Sequence, residues 1–332
     1  MTEPVAFAEP EAIRSVAVIG AGAVGASWAA LFLARNLDVW AFDPTPGAAL
    51  RTQTFIAAAW PALVALNPST TPSPPLERLR FTASAGEAAA NADLVQENTP
   101  EDPNLKARII AELDAAAGPH KILLSSTGGI LPTDLQSACR HPKRFIVLHP
   151  FNPAHLIPLV EVVAGRYTAP EVVDWTLRFA RLVGKHPICL NREAAGHMTN
   201  RLQFALLREA VHCLQSGIAS ATDIDAAVRY GLGPRWTLMG GLMTLHLAGG
   251  PGGMAAILEH AGAAIESWWA PAADVHLDAA TRALLVTAAQ ELSQGRPIAE
   301  WTGWRDQNLV RMLQLLQQSA AAWPAAVTAP GI

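Results

Sequence analysis

Cysteine is scarce in this chain of 332 residues: Cys139, Cys189 and Cys213 are scattered, and no two stand in CxxC spacing. That pattern excludes a disulfide framework, offers no zinc site and suits a reducing cytoplasm, so no metal is expected. Basic residues are also in short supply, with 24 Lys and Arg against 28 Asp and Glu for a formal net charge of −4. Nucleic acid or an anionic membrane would call for a basic face, so a small-molecule partner is favoured. No apolar run reaches the ~20 uninterrupted residues that a membrane helix needs. The start, Met1 to Pro10, lacks the basic-then-apolar order of a secretory signal, and no internal repeat is visible. What remains is a soluble chain long enough for two domains of roughly 100–200 residues each.

What is present is an alternation of short apolar runs and helical patterns. Ser15 to Gly20 enters a glycine turn, Ala26 to Ala34 follows as an alanine-rich helix, and Leu37 to Phe42 reads as a second strand stopped by Pro44 and Pro46. A helical stretch from Gly47 to Leu66 closes in the Thr/Ser/Pro loop at Ser69 to Pro75, and the sheet resumes near Leu79. Further strands are expected at Asp93–Gln96, Lys121–Ser125, Arg144–Leu148 and Leu156–Val163, with helices at Leu105–Ala117 and Glu171–Val183. This is the order of an open α/β sheet. After Gly196 the strand signal vanishes: His197 to Gln215 is one amphipathic helix, and helical patterns punctuated by glycine continue to Trp304–Gln318. The predicted architecture is a doubly wound Rossmann-type domain over 1–192 and an all-α domain over 193–325.

Two constellations carry chemistry. The first is Gly20-Ala21-Gly22-Ala23-Val24-Gly25, placed between a predicted strand and helix. Its glycines suit a tight turn, close approach of backbone to a pyrophosphate and close helix packing, with phosphates at the helix N-terminus. Asp43 ends the next strand, where an acid bonds a ribose 2′-hydroxyl and repels a 2′-phosphate, so NAD is expected rather than NADP. The competing reading of Asp43 is a solvated turn residue before Pro44. The second constellation is His149-Pro150-Phe151-Asn152-Pro153, with Glu161 inside the apolar run Leu159 to Val163. A lone histidine at a strand end is more often structural. Here an unpaired carboxylate in that run would be costly, so Glu161 needs a partner, and His149 is the obvious one. A histidine held by a carboxylate accepts and returns a hydroxyl proton near neutral pH.

These motifs, with the stretch Gln96 to Lys106, the Ser125-Ser126-Thr127 turn and Gly196-His197-Met198-Thr199-Asn200-Arg201, resemble the L-3-hydroxyacyl-CoA dehydrogenase superfamily across nearly the whole chain. The resemblance implies that His149 is the general base, Glu161 completes the dyad and Asn200 binds near the reacting oxygen. It also implies that Glu101 and Lys106 contact the cofactor, against the plainer reading of an exposed glutamate and a surface lysine. Asn152 either joins them or only braces its loop. By the same resemblance the substrate lies in a cleft between the domains and the helical domain forms a homodimer. One departure stands out: the family's substrate-turn serine is replaced by Gly128, in Ser126-Thr127-Gly128-Gly129. Either Ser126 or Thr127 substitutes for it, or the extra space admits a differently shaped substrate.

Within the superfamily the chain most resembles the branch acting on free 3-hydroxy acids, the L-carnitine 3-dehydrogenases and the lambda-crystallin-type L-gulonate 3-dehydrogenases. The residues that carry this are Ile157 to Glu161, Asn200 to Gln203, Tyr230 to Gly233 with Arg235-Trp236, and Trp304 to Asp306. Coenzyme A phosphates would call for basic residues, yet Pro44 to Leu76 holds only Arg51. Trp236 with Trp268 and Trp269 suits an aromatic cage for a quaternary ammonium, or else core and interface packing. Arg201 and Arg235 suit a substrate carboxylate, or else interdomain ion pairs. The expectation is NAD-dependent oxidation of a small L-3-hydroxy acid, L-carnitine before L-gulonate. The alternatives are a 3-hydroxyacyl-CoA substrate and a non-catalytic NAD-binding or structural protein.

Overall fold

Valine, isoleucine and leucine runs with both faces apolar form strands that must be covered on both sides, and the sheet is built that way. The computed structural model describes residues 7–269 and 275–322. They form an eight-stranded sheet of β1 (Ser15–Ile19), β2 (Asp38–Phe42), β3 (Leu79–Phe81), β4 (Leu94–Glu97), β5 (Leu123–Ser125), β6 (Phe145–Pro150), β7 (Leu159–Val163) and β8 (His186–Cys189). The order is β3-β2-β1-β4-β5-β6-β7-β8. Val16 and Val18 of β1 enter the core on one face, and Ala17 and Ile19 enter the core on the other.

The helices of this part are α1 (Ala23–Ala34), α2 (Ala48–Leu66), α3 (Ala85–Asn91), α4 (Pro103–Ala116), α5 (Pro132–Gln136) and α6 (Pro170–Leu182). By length and composition α2 is apolar enough to cross a membrane. It sends Ile56, Trp60 and Leu63 into the protein core instead.

The chain order reverses between β1 and β4, since β1 pairs in parallel with β2 on one side and with β4 on the other. Such a reversal opens a crevice at the carboxyl ends of the strands. With β1, β4, β5 and β6 all parallel, that one edge receives Gly20, Asn98 to Glu101, Ser126 to Gly129 and His149. β7 then returns antiparallel to β6.

By contact density the chain divides into one unit of residues 1–200 with 306–313, and a second of 201–305 with 314–332. The helix α7 (Thr199–Gln215) runs from the end of the first into the second, followed by α8 (Ala221–Ala226), a π-helical turn at Ala227–Leu232, α9 (Gly233–Ala248), α10 (Gly253–Trp269), α11 (Ala279–Ser293) and α12 (Ile298–Ala322), of which residues 306–313 count with the first unit. Leu202, Phe204, Tyr230, Leu238, Leu242, Trp268 and Val286 are exposed there. Residues 323–325, the expected end of the helical domain, lie outside the described residues.

Several boundaries differ from the expectation for local reasons. α1 starts at Ala23 rather than Ala26, directly on its N-cap Gly22. α7 starts at Thr199 rather than His197, whose φ of +49° is left-handed. β7 starts at Leu159 rather than Leu156, because the amides of Leu156 and Ile157 turn back to the carbonyl of Pro153. The last helix begins at Ile298, earlier than Trp304.

Candidate active site

The glycine turn after β1 is shaped by contacts that only glycine permits. Gly20 has φ +84°, and a Cβ there would lie 2.8 Å from the carbonyl oxygen of Asn98. A Cβ on Gly25 would run into the carbonyl of Gly20. Gly22 differs: a Cβ would meet nothing within 4 Å, so open space lies in front of the α1 N-terminus. No side chain caps that end and no acid sits in its first turn. Its unpaired N–H groups, including those of Ala23 and Val24, thus suit an anion.

Asp43 closes the other side. Its carboxylate accepts from the Ala21 amide at 2.9 Å and from the Thr45 amide at 2.9 Å. Partial burial pushes its pKa upward, but these bonds outweigh burial and hold it below the ordinary carboxylate value. A lasting negative charge beside an uncapped helix start fits a dinucleotide with an unphosphorylated ribose.

His149 and Glu161 occupy one rung of the antiparallel β6–β7 pair, with Nδ1 2.9 Å from Glu161 Oε2. An ionised carboxylate can only accept, so Nδ1 carries the proton and Nε2 is left as the basic nitrogen. The edge of Phe151 packs on the imidazole at 4.7 Å between centroids. The other carboxylate oxygen of Glu161 accepts from the amides of Met198 at 3.1 Å and Thr199 at 2.7 Å, and from the Thr199 hydroxyl at 3.0 Å. Burial raises the Glu161 pKa, yet His149 and Thr199 together bring it below the ordinary value. Glu161 therefore fixes the imidazole and anchors the start of α7 at once. One residue on, half-buried Asn200 donates from Nδ2 to the Gly128 carbonyl at 2.9 Å. Its second amide hydrogen remains for another acceptor.

The turn after β5 corrects part of the expectation. Ser126 Oγ accepts from Trp28 Nε1 at 3.1 Å and Gln96 Nε2 at 2.8 Å, and donates to Asn98 Oδ1 at 2.7 Å. Its hydrogen-bonding capacity is spent inside the protein. Thr127 is fully buried and donates to Glu101 Oε1 at 2.6 Å. Neither hydroxyl stands in for the missing serine.

Glu101 serves this turn as well, accepting from the amides of Gly128 and Gly129 at 3.0 Å each. Lys106 is not a surface lysine. It is 1 % exposed and donates to Glu97 at 2.9 and 3.1 Å and to the Thr99 carbonyl. Glu97 also accepts from Ser125 and Thr99. The Lys106 ammonium holds a buried carboxylate under the turn.

Family models described as "3-hydroxyacyl-CoA dehydrogenase, NAD binding domain" and "3-hydroxyacyl-CoA dehydrogenase, C-terminal domain" match residues 15–194 and 196–283. The chain belongs to the 3-hydroxyacyl-CoA dehydrogenase family. It is an NAD-dependent oxidoreductase acting on a CH–OH group. It is 45 % identical over 311 residues to an L-carnitine dehydrogenase of Streptomyces griseus, covering 94 % of this chain and 92 % of that one. An L-carnitine dehydrogenase of Bacillus cereus is 39 % identical over 314 residues, 95 % of either chain. Among solved structures, 5-formyl-3-hydroxy-2-methylpyridine 4-carboxylic acid 5-dehydrogenase, an NAD+-dependent dismutase, superposes with a TM-score of 0.73 at 31 % identity, covering 92 % of this chain and 99 % of that one. Mycobacterium tuberculosis FadB2 gives 0.64 at 28 % identity, covering 84 % and 95 %.

In this member of the 3-hydroxyacyl-CoA dehydrogenase family the first unit brings together His149, Glu161, Asn200, Glu101 and the Thr127–Gly129 turn. Asn152 is exposed on the loop after β6. Arg201, Arg235 and Trp236 belong to the second unit. All three are exposed there, and Arg235 Nε donates to the Gly231 carbonyl at 3.2 Å. The tryptophans seen in ring contact in that unit, among the described residues, are Trp301 and Trp304 at 5.6 Å, with the Arg229 guanidinium 5.4 Å over Trp304.

The sequence pattern does not single out His197. It is fully buried, packs edge-on to His149 at 5.4 Å and holds the Thr127 carbonyl through Nε2 at 3.0 Å. Burial lowers its pKa, so the ring is held neutral. Glu97 is a second residue that sequence reasoning missed, although it carries a signal related to that of Glu161: a carboxylate in a short strand that opens on apolar residues, at the end of β4 rather than in the middle of the run.

Proposed function

We propose that this protein oxidises the 3-hydroxyl of L-carnitine to 3-dehydrocarnitine. The observation that carries the reading is similarity to L-carnitine dehydrogenases along nearly the full length of both chains, combined with the His149–Glu161 pair beside Asn200. His149 Nε2 takes the hydroxyl proton as C3 becomes a ketone, and the buried Glu161 carboxylate stabilises the imidazolium that results. Asn200 offers its second amide hydrogen to the carbinol oxygen. When bound, NAD supplies the two-electron acceptor. Gly20, Gly22, Ala23, Val24 and Gly25 receive its pyrophosphate, Asp43 its ribose diol, and Glu101 and Asn152 border its reactive end.

Arg201 and Arg235 are assigned to the substrate carboxylate, and Trp236 with Trp268 to the trimethylammonium, where each good cation–π contact is worth roughly 0.5–2 kcal/mol. The NAD-binding domain is assigned to 1–192 and the substrate domain to 193–325. The exposed apolar side chains of the second unit support a homodimer through it. Three free cysteines suit a cytoplasmic enzyme.

NADH formation measured on L-carnitine, L-gulonate, 3-hydroxybutyrate and 3-hydroxybutyryl-CoA tests the reading. Turnover is expected to be highest on L-carnitine. Preference for the CoA ester or for gulonate rejects this substrate, and silence on all four favours a binding-only protein.

A further inference from the structure

The turn of Thr127, Gly128 and Gly129 holds two adjacent glycines, the residues with the most backbone freedom to lose on ordering. Every polar backbone atom of the turn is nevertheless held. The Thr127 amide donates to Ser125 Oγ at 3.2 Å, and the amides of Gly128 and Gly129 donate to Glu101. One short segment at the approach to α7 takes all three carbonyls. His197 Nε2 lies 3.0 Å from the Thr127 oxygen, Asn200 Nδ2 lies 2.9 Å from that of Gly128, and the Gly196 amide lies 3.1 Å from that of Gly129. Through the amides of Met198 and Thr199 the same segment is tied to Glu161. Residues 196–200 thus join the carboxylate of the dyad to the turn that holds the Asn200 amide.

Within this segment His197 carries two local penalties. Its φ of +49° is left-handed, a conformation that a residue with a Cβ adopts only at a cost. Because a carbonyl can only accept, Nε2 bears the ring proton, and Nδ1 is a buried acceptor with no protein partner among the described residues. A phenylalanine ring would fill similar space without that orphaned nitrogen. What the histidine adds is the N–H that holds the Thr127 carbonyl. Burial lowers its pKa, so the ring adds no charge beside the imidazolium that His149 becomes, 5.4 Å away between centroids.

His149 Nε2 and Asn200 Nδ2 border one space, at 3.2 and 3.3 Å from where a Cβ on Gly128 would stand. A slack turn would shift one wall of that space against the other. We propose that His197 is a positioning residue for the reaction: through the Thr127 carbonyl it holds the two-glycine turn, and through the Gly128 carbonyl that turn holds the Asn200 amide in register with His149. The proposal rests on the assignment of His149 and Asn200 to the reacting oxygen.

A double-mutant cycle tests it, with His197→Phe, Asn200→Ala and the two together, on whichever of the four hydroxy acids the wild type oxidises. His197→Phe keeps a ring and loses the N–H. It is expected to lower kcat by about ten-fold or more, since a misplacement of ~1 Å can cost on the order of 10²-fold, with NAD affinity unchanged. Hydride transfer should then be the slow step, so deuterium at C3 slows this variant at least as much as the wild type. A ring with a structural role alone would move the melting temperature and leave kcat in place. In the Asn200→Ala background His197→Phe is expected to cost little, because the group it positions is gone. Wild-type kcat in His197→Phe, losses that add in the double variant, a slow variant without an isotope effect, or loss of NAD binding would each overturn the proposal. A wild type silent on all four acids removes the functional reading itself. Preference for an acid other than L-carnitine rejects that substrate, while the cycle still decides the role of His197.

Discussion

His149 and Glu161 face each other across the one antiparallel pairing of the sheet among the described residues, twelve positions apart in the chain and on the same rung. Strand register alone places their side chains on one face within hydrogen-bonding distance. The carboxylate is fully buried, so its charge acts on the imidazole without much screening by solvent.

Replacing either member should therefore disable turnover and spare cofactor binding. His149→Gln is expected to lower kcat by about 10²–10⁴, the usual contribution of a positioned base. Glu161→Gln should cost less, since the base survives without its charged partner. NADH binding followed by fluorescence should stay near the wild-type value in both. Near-normal turnover in His149→Gln would remove the dyad from the mechanism.

The same carboxylate links stability to pH. The folded-state pKa of Glu161 lies below its ordinary value of 4.5, so its contribution to stability is complete above that value. That contribution is lost as pH falls through the lower folded value. Denaturation of wild type and Glu161→Gln across the acid range should show a stability gap that is constant near neutrality and narrows below the ordinary carboxylate pKa. A gap that widens in acid would contradict a lowered folded-state pKa.

Most of the frame was legible because apolar runs and glycine turns report backbone geometry directly. The strand-turn-helix at Gly20 to Gly25, the acid at Asp43 and the burial of Glu161 all follow from local pattern. α3 escapes a reading by apolar pattern because it is short and alanine-rich, although its start carries a capping signal, with Ser84 Oγ accepting from the Glu87 amide and Glu87 accepting from the Ala83 amide. β8 escapes it because His186 to Cys189 is short and holds a proline. The directions of Ser126, Thr127 and Lys106 were not legible at all. A hydroxyl or an ammonium near a site reads the same in sequence whether it turns toward substrate or into the core, and only the partners around it decide.

Lys106 offers a clean contrast between the two. It forms a buried ion pair with Glu97, each side chain 1 % exposed. Removing one partner strands the other charge, which costs about 3–5 kcal/mol. Lys106→Met is thus expected to lower the urea midpoint strongly. The alternative, a direct cofactor contact, predicts weaker NAD binding at nearly unchanged stability.

Ser126 sits at the centre of a second interior network, and its hydroxyl satisfies two donors and one acceptor there. Ser126→Ala leaves Trp28 Nε1, Gln96 Nε2 and Asn98 Oδ1 short of a partner, and each stranded buried group costs about 1–3 kcal/mol when no water replaces the bond. The expected result is a lower melting temperature with KM for the hydroxy acid close to the wild-type value. Were the hydroxyl instead a substrate ligand, KM would rise while the melting temperature held. The two measurements separate the roles because a hydroxyl that already donates its only proton to Asn98 has none left for a substrate oxygen.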